Sequence, residues 1–396
     1  MAKTVVIKLP GGDRTPFLRG IMVQSLMSSG LPFDDAYSLS QTIKDSLQDI
    51  VEITTSDLRD RVSKLLSAHY GPEQRASYEN RPTAESDIIV HTPTRSEPFS
   101  VGILAHSLET CTVEPEVALE GARQVYTSLL KTGHREIDHK VLRKLIYQCL
   151  KEHCSTGSAD RYLSWRRFDN SGDPLIVLIG GATGAGKSTI SSEVAYRLDI
   201  ARIQSTDVMR EIIRAYLTPQ AVPTLEYSSF EAWRGLPATA DEHRNPGENP
   251  VLTGFLSQFT TMKPALEATI YRAIKEREDL ILEGVHVAPQ LLDLQGASTG
   301  GIVVPLMLAS MERAALRKQL KRRGREATER KASRYLDRLD DIWELQSYLL
   351  SEADNSGIPI ITNWHIDTTI REILNLIMAK IMKRYPPEES QPPWDD

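Results

Sequence analysis

The residues Gly181-Ala-Thr-Gly-Ala-Gly-Lys-Ser188 carry the spacing G-x-x-x-x-G-K-S. That pattern binds the phosphates of a nucleoside triphosphate. Its glycines let successive backbone N–H groups close around the anion, Lys187 reaches toward the β- and γ-phosphates, and Ser188 is placed to ligate Mg²⁺. The nucleotide-contacting set is therefore Gly181, Ala182, Thr183, Gly184, Ala185, Gly186, Lys187, Ser188 and Thr189. An apolar run, Leu175–Ile179, precedes the loop, and a helical pattern from Ser188 follows it. This is the strand, loop and helix setting that the motif requires, and the helix dipole adds to anion binding.

Phosphoryl transfer asks a protein mainly for positioning and charge neutralisation, so carboxylates at strand ends and arginines on movable segments are the next residues to find. Ala201-Arg-Ile-Gln-Ser-Thr-Asp207 reads as a second strand ending in Asp207. There a carboxylate could accept a hydroxyl proton or organise Mg²⁺, although Asp is also a favoured helix N-cap. Asp279-Leu-Ile-Leu-Glu-Gly-Val-His286 reads as a third strand presenting Glu283, where a Walker-B-type acid would act on Mg²⁺. His286 follows it and is either a ligand to a substrate oxygen or a satisfied structural imidazole. Arg210 and Arg214, four residues apart on one helix face, could clamp an anionic substrate. Arg234 and Arg244 are weaker candidates of that kind. The basic stretch Lys318-Gln-Leu-Lys-Arg-Arg-Gly-Arg325, followed by Arg330 and Arg334, suits a closing lid in which Arg322 and Arg325 face the transferring group. Each of these arginines could equally sit on a solvated helix face.

Alternating patterns must position these residues. Strands are expected at Leu175–Ile179, Ala201–Gln204, Leu280–Leu282, Ile302–Leu306 and Ile358–Ile361. Helices are expected from Ser188 and over Val208–Leu217, Lys263–Glu278, Met311–Arg323 and Ala332–Ser351. Such alternation predicts an α/β fold with a parallel sheet wound by helices on both faces. Thr218 to Pro250, rich in proline and glycine, interrupts it as an insertion near the site.

Upstream lies an internal repeat. Pro16-Phe17-x-x-Gly20-Ile21-x-x-x-Ser25-Leu26 matches Pro98-Phe99-x-x-Gly102-Ile103-x-x-x-Ser107-Leu108, an offset of 82 that becomes 84 by Ile53 and Ile137. Each copy opens with a short strand, Val5–Leu9 or Ile88–His91, followed by a turn and helices. The expected organisation is two mainly helical units at 1–85 and 86–170, a catalytic domain at 171–385, and a disordered tail at 386–396. The polar stretch Gly71 to Ser86 links the two units, and the turn cluster Asp169–Pro174 opens the catalytic domain.

Net charge is −6, so the chain as a whole has no pull toward nucleic acid or anionic membrane. Cys111, Cys149 and Cys154 show no metal-binding spacing and read as reduced packing thiols. Residues 1–9 lack the apolar run of a secretory leader, and no stretch is long and apolar enough for a membrane span. A cytoplasmic protein with a small anionic substrate is expected, with room for a homo-oligomer.

The set LIGGATGAGKST, STD with R-E-I-I-R after it, LILEGVH, the lid arginines with Arg334-Tyr335-Leu336, and IPIITN at Ile358–Asn363 resembles the archaeal-type 2-phosphoglycerate kinases. The resemblance covers about residues 90 to 380. It implies a P-loop kinase that uses ATP and Mg²⁺ to phosphorylate the free hydroxyl of 2-phosphoglycerate, giving 2,3-bisphosphoglycerate. Lys187 and Ser188 would hold ATP and Mg²⁺, with Asp207 and Glu283 as the matching acids. Another small polyanion, such as an inositol phosphate, would meet the same arginines. A nucleotide sensor that binds ATP without transfer would not need the paired acids and basic lid. The N-terminal copies resemble ATP-cone units through Val5-Val-Ile-Lys8 and the shared Pro-Phe pattern, with a helix-packing scaffold as their leading role. Lys8 is the residue to test there for nucleotide, and His91 matches it if the strands align at 83.

Overall fold

A computed structural model describes residues 4–8, 13–47, 50–79, 88–92, 96–132, 136–237, 249–294, 296–326 and 332–387. The chain divides into two compact units, Met1–Asn170 with Tyr385–Asp396, and Ser171–Arg384. Residues 388–396 of the expected tail lie outside the described residues.

In the first unit each repeat builds the same small sheet. β1 (Val5–Lys8) pairs antiparallel with β2 (Asp13–Pro16) and parallel with β3 (Glu52–Thr54). β4 (Ile89–His91) does the same with β5 (Ser96–Pro98) and β6 (Glu136–Asp138). Val5 faces Pro16 and Ile89 faces Pro98, so the opening strands align at an offset of 84. His91 therefore matches Ile7, and the expected match to Lys8 at 83 is corrected. The two residues that lengthen the first hairpin account for the shift. The Gly71–Ser86 link is not bare coil, since Pro72–Glu79 is helical.

Positions matched by the repeat are core positions. Phe17 and Phe99, Leu26 and Leu108, Ala36 and Ala118, Leu47 and Leu129, and Ile53 and Ile137 are all buried. The equivalent helices Arg19–Met27 and Val101–Thr110 pack against each other. They meet at equivalent glycines. A Cβ on Gly20 would lie 2.6 Å from the Gly102 carbonyl oxygen, and one on Gly102 would lie 2.5 Å from the Ile21 Cα. Beside this crossing Arg19, only 2% exposed, donates to Gln41 Oε1 at 3.1 Å and to Glu109 Oε2 at 3.2 Å.

The second unit holds five parallel strands: β7 (Leu175–Gly180), β8 (Ile203–Ser205), β9 (Leu280–Glu283), β10 (Ile302–Ala309) and β11 (Ile360–Thr362). Their order is β11-β10-β7-β9-β8, and β7 is buried along its whole length. A strand covered on both faces reads as an unbroken apolar run, as Leu-Ile-Val-Leu-Ile does. Helices Pro250–Glu276 and Leu339–Asn355 pack together with Phe255, Phe259, Met262, Leu266, Leu345 and Leu349 in the core. Helices Lys187–Leu198 and Ile366–Arg384 pack against each other with Ile190, Val194, Ile370 and Ile377 buried.

Two helix boundaries differ from expectation. The helix expected from Lys263 begins at Pro250, because Asn249 caps it by accepting from the Val251 N–H at 2.9 Å and Pro250 sits at a position needing no donor. Pro264 is accommodated inside it. The helix expected over Ala332–Ser351 is two, Ala332–Leu336 and Leu339–Asn355, separated at Asp337 and Arg338.

Candidate active site

The phosphate loop connects β7 to the helix Lys187–Leu198. Its backbone has little room. Gly186 precedes the helix at φ 86°, a left-handed conformation that glycine adopts without strain, and a Cβ there would lie 2.3 Å from Asn363 Nδ2. Asn363, just beyond β11, donates to the Ala185 carbonyl at 3.0 Å and holds the loop from the side. The helix Arg313–Glu326 lies over the loop at Gly184, with buried Leu316 and Leu320 as its contacts.

Sheet register brings the chemical groups together. Glu283 pairs with Ile179 of β7 and with Ser205 of β8, so the acid lies at the carboxyl edge of three neighbouring strands. Ligands of open α/β sheets bind at that edge. Glu283 is 6% exposed and accepts a hydrogen bond from Ser188 Oγ at 2.9 Å. Lys187 is likewise buried, and its ammonium donates to the Ala182 carbonyl at 2.9 Å. A hydroxyl and a carboxylate held in contact beside a folded-over lysine form an oxygen donor pair of the kind that suits a hard divalent cation such as Mg²⁺. Among the described residues no cluster of three or more His, Cys, Asp or Glu could hold a metal by itself.

Asp207 lies exposed in the first turn of the helix Thr206–Tyr216. It is not the N-cap. Ser205 takes that role, its Oγ accepting from the Asp207 N–H at 3.3 Å. The Asp207 carboxylate is thereby released from capping, two residues beyond the Ser205 that pairs with Glu283.

His286 is enclosed, 1% exposed, and both ring nitrogens have partners. Gln258 Nε2 donates to the carbonyls of Thr224 at 2.7 Å and Tyr227 at 3.1 Å, so Gln258 Oε1 must accept from His286 Nε2–H at 2.7 Å. Nδ1 then accepts from Thr206 Oγ1 at 3.4 Å. The ring stacks on Phe255 with centroids 5.7 Å apart. Burial pushes its pKa down from 6.5 to about 4, opposed by Asp207 and assisted by Arg210 and Lys187. The imidazole joins the ends of β8 and β9 to the insertion. Gly284 permits the approach: at φ 152° a Cβ would lie 1.8 Å from Thr206 Oγ1.

Arg210 donates to the Leu225 carbonyl at 3.3 Å, to the Tyr227 carbonyl, and to Glu211 at 2.9 Å. Arg214 pairs with Glu211 at 2.6 Å and Glu226 at 3.8 Å. Both arginines thus hold the insertion. Arg322 and Arg325 fall on the helix Arg313–Glu326, but their side chains lie outside the described residues, as do Arg244 and Arg330 altogether. Sequence reading missed Asn363, Gln258, Thr206 and Glu231 as site residues. Apart from Arg234, three residues from Glu231, the partners that tie these residues to the site lie 28 to 178 residues away in the chain, so local spacing does not announce them.

Comparison with known proteins adds an independent line. Residues 159–235 match the family model of zeta toxin. A 2-phosphoglycerate kinase of Pyrococcus horikoshii is 36% identical over 288 residues, covering 73% of this chain and 92% of that protein. One from Methanopyrus kandleri is 38% identical over 287 residues, covering 72% and 85%. One from Methanocaldococcus jannaschii is 33% identical over 297 residues, covering 75% and 93%. Likeness of this extent, taken with a phosphate loop whose Ser188 meets the acid at the end of β9, places the chain in the 2-phosphoglycerate kinase family.

Proposed function

We propose that the chain transfers the γ-phosphoryl group of ATP to the free hydroxyl of 2-phosphoglycerate, yielding ADP and 2,3-bisphosphoglycerate. The observation that carries this reading is the Ser188–Glu283 contact of 2.9 Å at the carboxyl edge of the sheet, beside Lys187. Gly181 to Thr189 cradle the triphosphate, and Lys187 balances charge on its β- and γ-groups. Ser188 and Glu283 would hold Mg²⁺, and Asp207 adds a further acid nearby. The ion supplies charge neutralisation between the phosphates when bound.

Asp207 is the general base. Its carboxylate takes the proton of the acceptor hydroxyl as the new O–P bond forms and the bond from the γ-phosphorus to the β-bridging oxygen breaks, with ADP leaving. Exposure and freedom from capping support this assignment. Arg322 and Arg325, on the basic helix above the loop, stabilise the transferring group. Arg210, Arg214 and His286 shape the acceptor side through the insertion they hold. The N-terminal repeats are two ATP-cone-like units acting as a scaffold, a reading supported by their common strand topology and matched core positions. The three cysteines are unbridged, and among the described residues no helix is long and apolar enough to cross a membrane, which supports a cytoplasmic setting.

Purified protein with Mg²⁺ and ATP, offered 2-phosphoglycerate, 3-phosphoglycerate, glycerate and inositol phosphates in turn, tests the reading by ADP release. Turnover on 2-phosphoglycerate in preference to the others is expected. Preferential turnover on an inositol phosphate, or ATP binding with no transfer to any acceptor, would overturn it.

A further inference from the structure

The insertion carries a charged cluster centred on Glu231, which the proposed mechanism leaves unassigned. Glu231, 3% exposed, is a carboxylate with three guanidinium groups around it. Arg334 Nε donates to its Oε2 at 3.1 Å, while Arg234 Nη1 lies 3.5 Å and Arg338 Nε 3.8 Å from its Oε1. Asp341 takes up part of Arg338 at 3.6 Å. An isolated buried carboxylate is costly, and one ringed by guanidinium groups fixes the groups that pair with it. Arg334 also donates to Ser228 Oγ at 3.1 Å. The same contact is closed by rings: Phe230 and Tyr335 centroids are 6.0 Å apart, and Arg338 lies 5.8 Å over Trp233.

These contacts join two segments distant in sequence. One is the insertion around Pro223–Glu226 and Ala232–Gly235, and the other is Ala332–Leu336, which follows the basic helix Arg313–Glu326. The insertion is in turn fastened to the β8 and β9 side of the sheet through Arg210, Gln258 and His286. Asn363 buttresses the phosphate loop from the β11 side instead. The arginines bound to Glu231 keep much of their surface in water, 55% for the Arg334 side chain and 48% for that of Arg234. Within the cluster three arginines exceed the two carboxylates, Glu231 and Asp341, and the excess positive charge stands at an exposed edge of the insertion with a buried acid to hold it in place.

We propose that Glu231 is a positioning residue that locks Ala332–Leu336 to the insertion and presents Arg334 and Arg234 as an anion-binding pair for the acceptor's phosphate or carboxylate. The acceptor part rests on the proposed kinase reading. The locking part does not.

The test uses the full-length protein and the variants Glu231→Gln, Glu231→Asp, Arg334→Ala and Arg334→Lys, with KM for 2-phosphoglycerate and for ATP measured separately. Glu231→Gln and Arg334→Ala should raise the acceptor KM roughly 10- to 100-fold, the loss expected for one charge-assisted hydrogen bond. The ATP KM should stay within about twofold, as uniform loss of acceptor binding requires. Glu231→Asp should recover part of the loss, whereas Arg334→Lys, which keeps charge without the fork, should recover less. Amide hydrogen exchange provides a readout free of substrate: Glu231→Gln should speed exchange in 223–235 and 332–336 together. Arg334 is largely exposed, so its variants remain informative if Glu231→Gln folds poorly. Equal rises in both KM values, or an unchanged acceptor KM in Arg334→Ala, would overturn the anion pair. Unchanged exchange in Glu231→Gln would overturn the lock. Failure of the wild type to turn over 2-phosphoglycerate would remove the kinase reading and the acceptor role with it, leaving the lock to the exchange result.

Discussion

Replacing His286 with Gln should remove a pH dependence of stability that belongs to this residue alone. Gln retains one donor and one acceptor for Gln258 and Thr206 but does not titrate. In the folded chain the imidazole titrates near 4 instead of 6.5, chiefly because it is buried. Its folded pKa is depressed, so the unfolded chain binds the proton more readily. Stability is then fully present above about 6.5 and is lost as pH falls toward about 4. At about 1.4 kcal/mol per unit, the full loss is about 3 kcal/mol, and between pH 7.5 and pH 5 it is about 2 kcal/mol. Urea unfolding followed by tryptophan emission, at both pH values, gives the comparison. Trp233, Trp343 and Trp364 report on the second unit and Trp165 on the first. Carboxylates titrate in both proteins and cancel in the difference. The wild type should lose about 2 kcal/mol more than His286→Gln across this interval. An equal pH dependence in the two proteins would refute a buried, neutral imidazole and the network built on it.

Lys187→Ala and Glu283→Gln should each lower kcat by at least about 100-fold, as loss of a charge-stabilising contact at the transferring group does, and Lys187→Ala should also weaken ATP binding. Steady-state kinetics and nucleotide titration check both. Asn363→Ala removes the bond to the Ala185 carbonyl and should raise the ATP KM with little change in the acceptor KM. Gly102→Ala forces a methyl group to within 2.5 Å of the Ile21 backbone and should destabilise the first unit by about 1–3 kcal/mol, read as a lower thermal midpoint for that unit. Asp207→Asn should nearly abolish turnover while leaving ATP binding intact, because it removes the proton acceptor and keeps the shape.

What could be read directly from the chain was whatever is encoded locally. The phosphate loop declares itself by glycine spacing, and Glu283 by standing at the end of Leu280-Ile-Leu, whose register beside β7 then follows from the parallel sheet. The repeat is visible because its matched residues are core residues under the same packing constraint. Contacts that span the chain stayed hidden. Asp207 resembles an N-cap until Ser205, two residues earlier, is seen to occupy the position. Asn249 and Pro250 read as the end of a loop, although a capping side chain followed by proline is equally a helix start. His286 was ambiguous because its partners, Thr206 and Gln258, come from other elements. Glu231 has one partner within a helical turn, Arg234, which no sequence pattern marks as a pair, and its other arginines, Arg334 and Arg338, arrive from 103 and more residues away.

Phosphorus NMR of a reaction containing Mg²⁺, ATP, 2-phosphoglycerate and the wild-type protein tests the proposed transfer most directly. Resonances of a glycerate bearing two phosphates should grow in step with those of ADP and be absent with Lys187→Ala. ADP accompanied only by inorganic phosphate, with 2-phosphoglycerate unchanged, would contradict transfer to the acceptor hydroxyl.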